Sequence, residues 1–430
     1  MRREIRKVVV LGANGAMGAG GGEVFAAAGI DTVFLARTRD KAQSGRKRAE
    51  KLAKSEALAR HITIGSYEED LARVVPEADL IYEAVSEDLA LKQVYFEKID
   101  ALRKPEAIIA TVSSGLSIAA MASGRSESFA KHLLGIHFFN PPNVIVGCEL
   151  IPHAGTDPAI TEWISGLLRS KFGRELVKTT DTPAFCGNRV GFKVLNECAQ
   201  LAEKYGVAYI DALIGPHTGR AMAPLATIDF VGWDVHRAIV DNLHAHTKDE
   251  AHDAFAMPRY MSELIGRGAL GDKTPDLGGF AKRGDKGKPN LILDPTSGTH
   301  NGHGVEVPAV ARKMKALHHV GRYHEAFELF ATDASADADL MRRVILGYLS
   351  YGLNRVGEVV ETATDVDRIM GFGFNWAPPS ALVDILGARR TVKLLEAAKL
   401  AVPRVVANAA ERNQPLYDPA LGDMGRFFHG

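Results

Sequence analysis

His137 and Glu149 are the pair in this sequence best suited to moving a proton. A carboxylate beside an imidazole fixes the ring's tautomer and raises its basicity, which is what a general base needs. The residues between them favour a pairing. Gly135-Ile-His-Phe-Phe reads as an apolar strand, Asn140-Pro-Pro-Asn143 as a turn, and Val144-Ile-Val-Gly-Cys-Glu-Leu-Ile151 as a second apolar strand. Proline cannot donate within a ladder and pre-sets turn dihedrals, so the chain should reverse at Pro141-Pro142. His137 and Glu149 are symmetric about Asn143, so an antiparallel hairpin centred there brings them face to face. A satisfied core histidine beside an edge glutamate is the structural alternative.

A second constellation stands near the start of the chain. Lys7-Val-Val-Val-Leu11 has the composition of a buried strand, Gly12-Ala-Asn-Gly15-Ala-Met17-Gly18 follows at once, and an Ala-rich helical pattern runs over 19–28. Strand, glycine turn and helix in that order are the context of a dinucleotide fingerprint. The glycines let the backbone approach a pyrophosphate, and the helix N-terminus offers amide donors and partial positive charge. The spacing is Gly-x-x-Gly-x-x-Gly, one residue longer in its first step than Gly-x-Gly-x-x-Gly. A tight turn with no ligand is the alternative here. The next strand, Asp31–Ala36, runs into Arg37-Thr38-Arg39, where an acid would ordinarily grip the adenosine ribose. Arg37 reverses that charge, and Arg39 and Lys41 add to it.

The elements that must carry these residues predict a doubly wound sheet. After a polar helix over 41–60, apolar runs at 61–65, 78–85 and 107–112 read as strands, and 174–180 as a last one. Two strands end in Ser86-Glu87-Asp88 and Ser113-Ser114-Gly115. Ligands bind outside the carboxyl ends of such strands. From Cys186 onward the periodicity is helical, beginning with Asn188-Arg-Val-Gly-Phe-Lys-Val-Leu. Pro224-x4-Asp229-x2-Gly232 recurs as Pro379-x4-Asp384-x2-Gly387, and Arg342-Arg343-Val344 falls near where Asn188-Arg189-Val190 would recur. The predicted organisation is an α/β Rossmann-type dinucleotide-binding domain over 1–182, an all-α domain over 183–280, a connection over 281–330, and a degenerate second helical copy over 331–430.

Composition narrows the class. The 430 residues are 46% hydrophobic and 24% charged with zero formal net charge, which favours a soluble multidomain protein over a nucleic-acid or membrane partner. Three cysteines (Cys148, Cys186, Cys198) without metal-type spacing suit a reducing cytoplasm, and no metal site is expected. The first residues lack the apolar core of a signal peptide.

With Glu83-Ala-Val-Ser-Glu87, Ser113-Ser114, His137-Phe-Phe-Asn140-Pro141 and the glycine turn in one order, the chain resembles the L-3-hydroxyacyl-CoA dehydrogenases over nearly its whole length. The layout is similar to the dehydrogenase part of the multifunctional fatty-oxidation proteins, without their hydratase domain. The resemblance implies oxidation of L-3-hydroxyacyl-CoA to 3-oxoacyl-CoA in fatty-acid β-oxidation, with an acyl-CoA substrate and a separate enoyl-CoA hydratase as a candidate partner. NAD is the implied cofactor, with NADP as the alternative because of Arg37. His137 matches the catalytic base and Glu149 its partner; Ser113 and Asn188 match contacts to the substrate's 3-oxygen. Gly12, Gly15, Met17 and Gly18 form the cofactor turn, and Glu87, Lys92, Asn140 and Lys273 match positions that contact the dinucleotide. Helix capping is the alternative for Ser113 and Asn188, and a solvated surface charge for Glu87 and Lys92. Two features depart from the family pattern: Arg37, and Val112 with Gly115 in a serine stretch usually written Asn-Thr-Ser-Ser-Leu. A β-hydroxyacid dehydrogenase of another substrate class would use a lysine base instead, and a non-catalytic dinucleotide sensor would keep the fold without turnover.

Overall fold

A computed structural model describes residues 4–284, 288–302 and 305–428. The chain divides into two units, Met1–Phe185 and Cys186–Gly430.

The first unit is built on eight strands: β1 (Lys7–Leu11), β2 (Asp31–Ala36), β3 (Ile62–Ser66), β4 (Leu80–Glu83), β5 (Ile108–Thr111), β6 (Leu133–Phe138), β7 (Gly147–Pro152) and β8 (Glu175–Lys178). Their order is β3-β2-β1-β4-β5-β6-β7-β8, parallel from β3 to β6, with β7 and β8 running the other way. Parallel strands covered on both faces need apolar side chains pointing both ways, and β1 supplies them from Val8 to Leu11. Val8 and Val10 enter one layer with Phe25, Phe34 and Tyr82. Val9 and Leu11 enter the other with Val33, Ile81 and Phe96. The strand order turns back at β1 and β4, which opens a crevice at their carboxyl ends.

Several elements differ in extent from the sequence expectation. The helix expected over 41–60 is Arg39–Ala53, closed by Lys54 in the left-handed region (φ 51). A short 3-10 turn, Glu56–His61, then brings Leu58 into the core. The apolar runs 78–85 and 107–112 contract to Leu80–Glu83 and Ile108–Thr111; Ala78, Ala107 and Val112 stay buried while their backbones turn into loops.

The second unit opens with helices Gly187–Tyr205, Val207–Leu213, Pro224–Val231, Trp233–His246 and Arg259–Gly266. Residues 281–330 are not a plain connection. Three antiparallel strands, β9 (Ala281–Arg283), β10 (Pro289–Asp294) and β11 (Thr299–Asn301), are followed by helices Ala309–His319 and Tyr323–Thr332. Residues 285–287 and 303–304 of this stretch lie outside the described residues. The Gly, Pro, Asp and Thr that suggested a linker build a hairpin turn: Gly298 N donates to the Asp294 carbonyl at 2.9 Å, and Thr296 N to the Asp294 carboxylate at 2.9 Å.

Helices Ala336–Leu353, Ala363–Phe372, Pro379–Leu386, Ala388–Ala397 and Arg404–Arg412 complete the unit. The repeated Pro-x4-Asp-x2-Gly pattern folds alike in both places. Gly232 (φ 98, ψ 135) and Gly387 (φ 84, ψ 126) end their helices in the same conformation. The Asp229 carboxylate accepts from Phe280 N at 2.8 Å and Ala281 N at 2.9 Å, and that of Asp384 from Leu416 N at 2.9 Å and Tyr417 N at 3.0 Å. The stretches leading into the two proline helices pair antiparallel at Arg220 and Trp376, with the Arg220 guanidinium 4.0 Å from the Trp376 ring. Arg342 stands inside its helix, donating to the Phe330 carbonyl at 2.7 Å and paired with Asp339. Among the described residues no helix is long and apolar enough to cross a membrane, and no cluster of potential metal ligands occurs.

Candidate active site

The hairpin expected from the sequence forms, in the register its symmetry predicts. β6 and β7 place His137 opposite Glu149, between the pairs Ile136/Leu150 and Phe138/Cys148. His137 Nδ1 and Glu149 Oε2 are 2.7 Å apart, with His137 4% exposed and Glu149 0%. A carboxylate on Nδ1 keeps the ring proton there and leaves Nε2 as the ring's acceptor. Phe139 and Phe185 pack against the imidazole, with centroids at 4.9 and 5.7 Å. The reversal spans 139–146, longer than the four residues expected. Val144 N and Ile145 N both donate to the Pro141 carbonyl, and Arg174 donates to the carbonyls of Pro142 (2.7 Å) and Ile145 (3.1 Å). Asn140 is exposed at the head of this loop.

The glycine turn after β1 fits a dinucleotide. Gly12 sits at φ 74, and a Cβ on it would lie 2.1 Å from the Ala84 carbonyl oxygen. Gly15 N donates back to Gly12 O at 3.0 Å, and Gly15 precedes the helix Ala16–Ala27 without a side-chain cap. The first-turn amides, around Met17 and Gly18, are thus left to a ligand such as a pyrophosphate. The turn lies close against the helix Arg39–Ala53, where a Cβ on Gly45 would meet the Ala13 carbonyl oxygen at 2.2 Å. In an ordinary helix Gly→Ala stabilises by about 1 kcal/mol. Gly45→Ala should do the reverse, lowering the thermal midpoint and the affinity for reduced cofactor, as read by differential scanning fluorimetry and cofactor fluorescence. A midpoint that rises would mean the turn yields to the methyl group.

At the ends of β4 and β5 a chain of polar groups forms. Lys92 Nζ lies 2.8 and 3.0 Å from the two carboxylate oxygens of Glu83, both residues being 0% exposed. Glu83 also accepts from Thr111 Oγ1 (2.6 Å) and Val85 N (2.7 Å). Lys92 is therefore no solvated charge: its ammonium needs the buried carboxylate, and Glu87 stands 3.5 Å away on its other side. Glu87 is more open, and its carboxylate accepts from Ser113 Oγ (2.5 Å) and Ser114 N (2.8 Å). Ser113 Oγ in turn accepts from Leu116 N at 3.1 Å, so it also caps the local turn.

Arg37 is exposed at the end of β2. Arg39 does not add to its charge, because it is bound to Glu69 (2.8 Å) and Asp70 (2.9 Å). Two residues were given no role from the sequence. Glu83 stood there only as part of the Glu83-Ala-Val-Ser-Glu87 motif, an acid at the end of an apolar strand. Tyr67 left no signal: its hydroxyl accepts from Gly12 N at 2.8 Å, its ring lies 4.8 Å from that of Tyr95, and burial pushes the phenol up to about 12. Asn188 and Lys273 belong to the second unit. Asn188 is buried in the first turn of Gly187–Tyr205, and the Lys273 ammonium rests on Asp234 at 2.7 Å.

Residues 7–182 match the family described as 3-hydroxyacyl-CoA dehydrogenase, NAD binding domain, and residues 185–281 match 3-hydroxyacyl-CoA dehydrogenase, C-terminal domain. The 3-hydroxybutyryl-CoA dehydrogenase of Bradyrhizobium diazoefficiens is 34% identical over 306 residues, covering 67% of this chain and 99% of that protein. The chain belongs to the 3-hydroxyacyl-CoA dehydrogenase family. A probable 3-hydroxyacyl-CoA dehydrogenase of Bacillus subtilis is 29% identical over 461 residues and covers 100% of this chain, which spans only 57% of that relative's length. The crystal structure of an Escherichia coli 3-hydroxybutyryl-CoA dehydrogenase shares the fold over 95% of this chain and 99% of that one, at a TM-score of 0.68 and 20% identity. In this 3-hydroxyacyl-CoA dehydrogenase family member the five helices from Ala336 to Arg412 lie beyond both matched segments.

Proposed function

We propose that the chain oxidises L-3-hydroxyacyl-CoA to 3-oxoacyl-CoA with a nicotinamide dinucleotide, in fatty-acid β-oxidation. The observation that carries the reading is the buried His137–Glu149 pair at 2.7 Å, on the same sheet as the glycine turn. When bound, the nicotinamide supplies the hydride acceptor. His137 Nε2 accepts the proton of the substrate's 3-hydroxyl, and Glu149 stabilises the imidazolium that results. Phe139 and Phe185 keep water from the ring. Ser113, by exchanging Glu87 for the substrate, and Asn188 orient the 3-oxygen. Gly12, Gly15, Met17 and Gly18 hold the pyrophosphate, and Glu87, Lys92, Asn140 and Lys273 border the dinucleotide, Lys92 through Glu83. The second helical set is a structural copy, a cytoplasmic setting suits three buried cysteines that form no disulfide, and a separate enoyl-CoA hydratase would supply the substrate. Acetoacetyl-CoA with reduced cofactor is the test: turnover is expected. Binding of cofactor without turnover would instead favour a sensor, and turnover of a free hydroxyacid alone another dehydrogenase class.

NAD is the proposed working cofactor, with NADP accepted better than where an acid ends β2. A carboxylate there binds the ribose 2′-hydroxyl and repels a 2′-phosphate, and Arg37 reverses that preference. A charge-assisted phosphate contact contributes about 1.5–3 kcal/mol. Arg37→Asp should therefore shift the ratio of kcat/KM for NADP over NAD toward NAD at least about tenfold. An unchanged ratio would place Arg37 away from the ribose.

A further inference from the structure

The helix Gly187–Tyr205 carries Asn188 and Arg189 side by side in its first turn, and Arg189 is bound by residues from far along the chain. Its Nε donates to Tyr351 Oη at 3.0 Å, while Nη2 lies 2.7 Å from both Asp249 Oδ2 and Glu358 Oε1. Tyr351 Oη donates to Asp249 at 2.8 Å. Arg355 closes the cluster with Glu358 at 2.7 Å, Asp249 at 3.2 Å and Glu250 at 2.6 Å. Both arginine side chains are 4% exposed.

We infer that Tyr351, Arg355 and Glu358 of the second helical set are positioning residues for the reaction, acting by locking Arg189 and so the turn that presents Asn188. The inference rests on the proposed reading of Asn188 as a donor to the substrate's 3-oxygen.

The turn is entered through an uncommon backbone conformation. The residues that lead into it, Ala184 and Phe185, are held at φ 58 and φ 55. Non-glycine residues rarely occupy that region, and they persist there only where the surroundings over-determine them. Past that entry, the buried guanidinium forks of Arg189 and Arg355, shared among Asp249, Glu250 and Glu358, hold Arg189 in place: planar, always charged and geometrically exacting. The second helical set then does more than repeat the fold of the first. It would set an orienting group to within the tolerance the chemistry demands, where a displacement of about 1 Å costs up to about 10²-fold in rate.

The test uses the full chain with acetoacetyl-CoA and reduced cofactor. Tyr351→Phe removes one hydroxyl from the cluster and keeps the ring. It should lower kcat about tenfold with the KM for cofactor and the thermal midpoint little changed. Arg355→Lys should retain more turnover than Arg355→Met. The decisive readout is a double-mutant cycle: in an Asn188→Ala background Tyr351→Phe should have no further effect on kcat. Full turnover in Tyr351→Phe, or the same fold loss in both backgrounds, overturns the positioning role. Normal turnover in Asn188→Ala alone shows instead that the reading of Asn188 has failed, and the inference with it.

Discussion

Replacing His137 by Gln is expected to lower kcat by about 10² to 10⁴, with dinucleotide affinity unchanged. The imidazole is the proposed acceptor of the hydroxyl proton, and glutamine keeps the size and a hydrogen bond but takes up no proton. Glu149→Gln should cost less. An amide at the 2.7 Å contact still touches Nδ1, but it no longer fixes the tautomer or stabilises the imidazolium. Because Glu149 is completely buried on β7, the comparison must include a fold check; near-UV circular dichroism and reduced-cofactor fluorescence serve. Turnover near normal in a folded His137→Gln protein would remove His137 as the base.

Lys92→Met is expected to have the largest effect on stability. The substitution leaves the Glu83 carboxylate buried with its opposite charge gone, and breaking one side of a buried pair costs about 3–5 kcal/mol. Thr111 Oγ1 and Val85 N still donate to that carboxylate, but neither carries charge. The first unit should therefore unfold at markedly lower denaturant, and cofactor affinity should fall with it, since Glu87 and Ser113 adjoin the same cluster. Adding Glu83→Gln should recover much of the loss, because a buried pair replaced on both sides leaves no uncompensated charge. A single variant that keeps its stability but loses cofactor binding would show that Lys92 acts by touching the dinucleotide.

What the sequence made legible was local or obeyed a fixed period. Side chains alternate across a strand with period two, so residues equidistant from a turn must face each other once the strands pair. That period, with a reversal centred on Asn143, sets His137 against Glu149, whereas a four-residue turn at Asn140–Asn143 would have set it against Val146. The glycine turn was readable for the same kind of reason: strand, turn and helix are consecutive, and the extra residue is visible in the spacing. The proline helices and their aspartates repeat because each aspartate serves the same backbone-holding purpose in both places.

What needed the tertiary structure was the fate of individual charges and the reach of individual side chains. Arg39 looks like an extra cation for a phosphate, yet Glu69 and Asp70, brought alongside by the pairing of β3 with β2, bind it. Lys92 looks like a surface charge on an amphipathic helix; a carboxylate from β4 draws it fully inside. The stretch after Gly279 looks like a linker until Leu293 finds a place in the core and its flanking glycines and prolines become turns. Gly45 has no visible purpose until the Ala13 carbonyl comes to lie against it. By itself the sequence determined backbone shape and which residue types meet across a hairpin, because those follow from chain geometry over a few residues. Only the tertiary structure decided which charges stay available, because a buried ion pair is chosen by partners distant in sequence, through desolvation that no local pattern encodes.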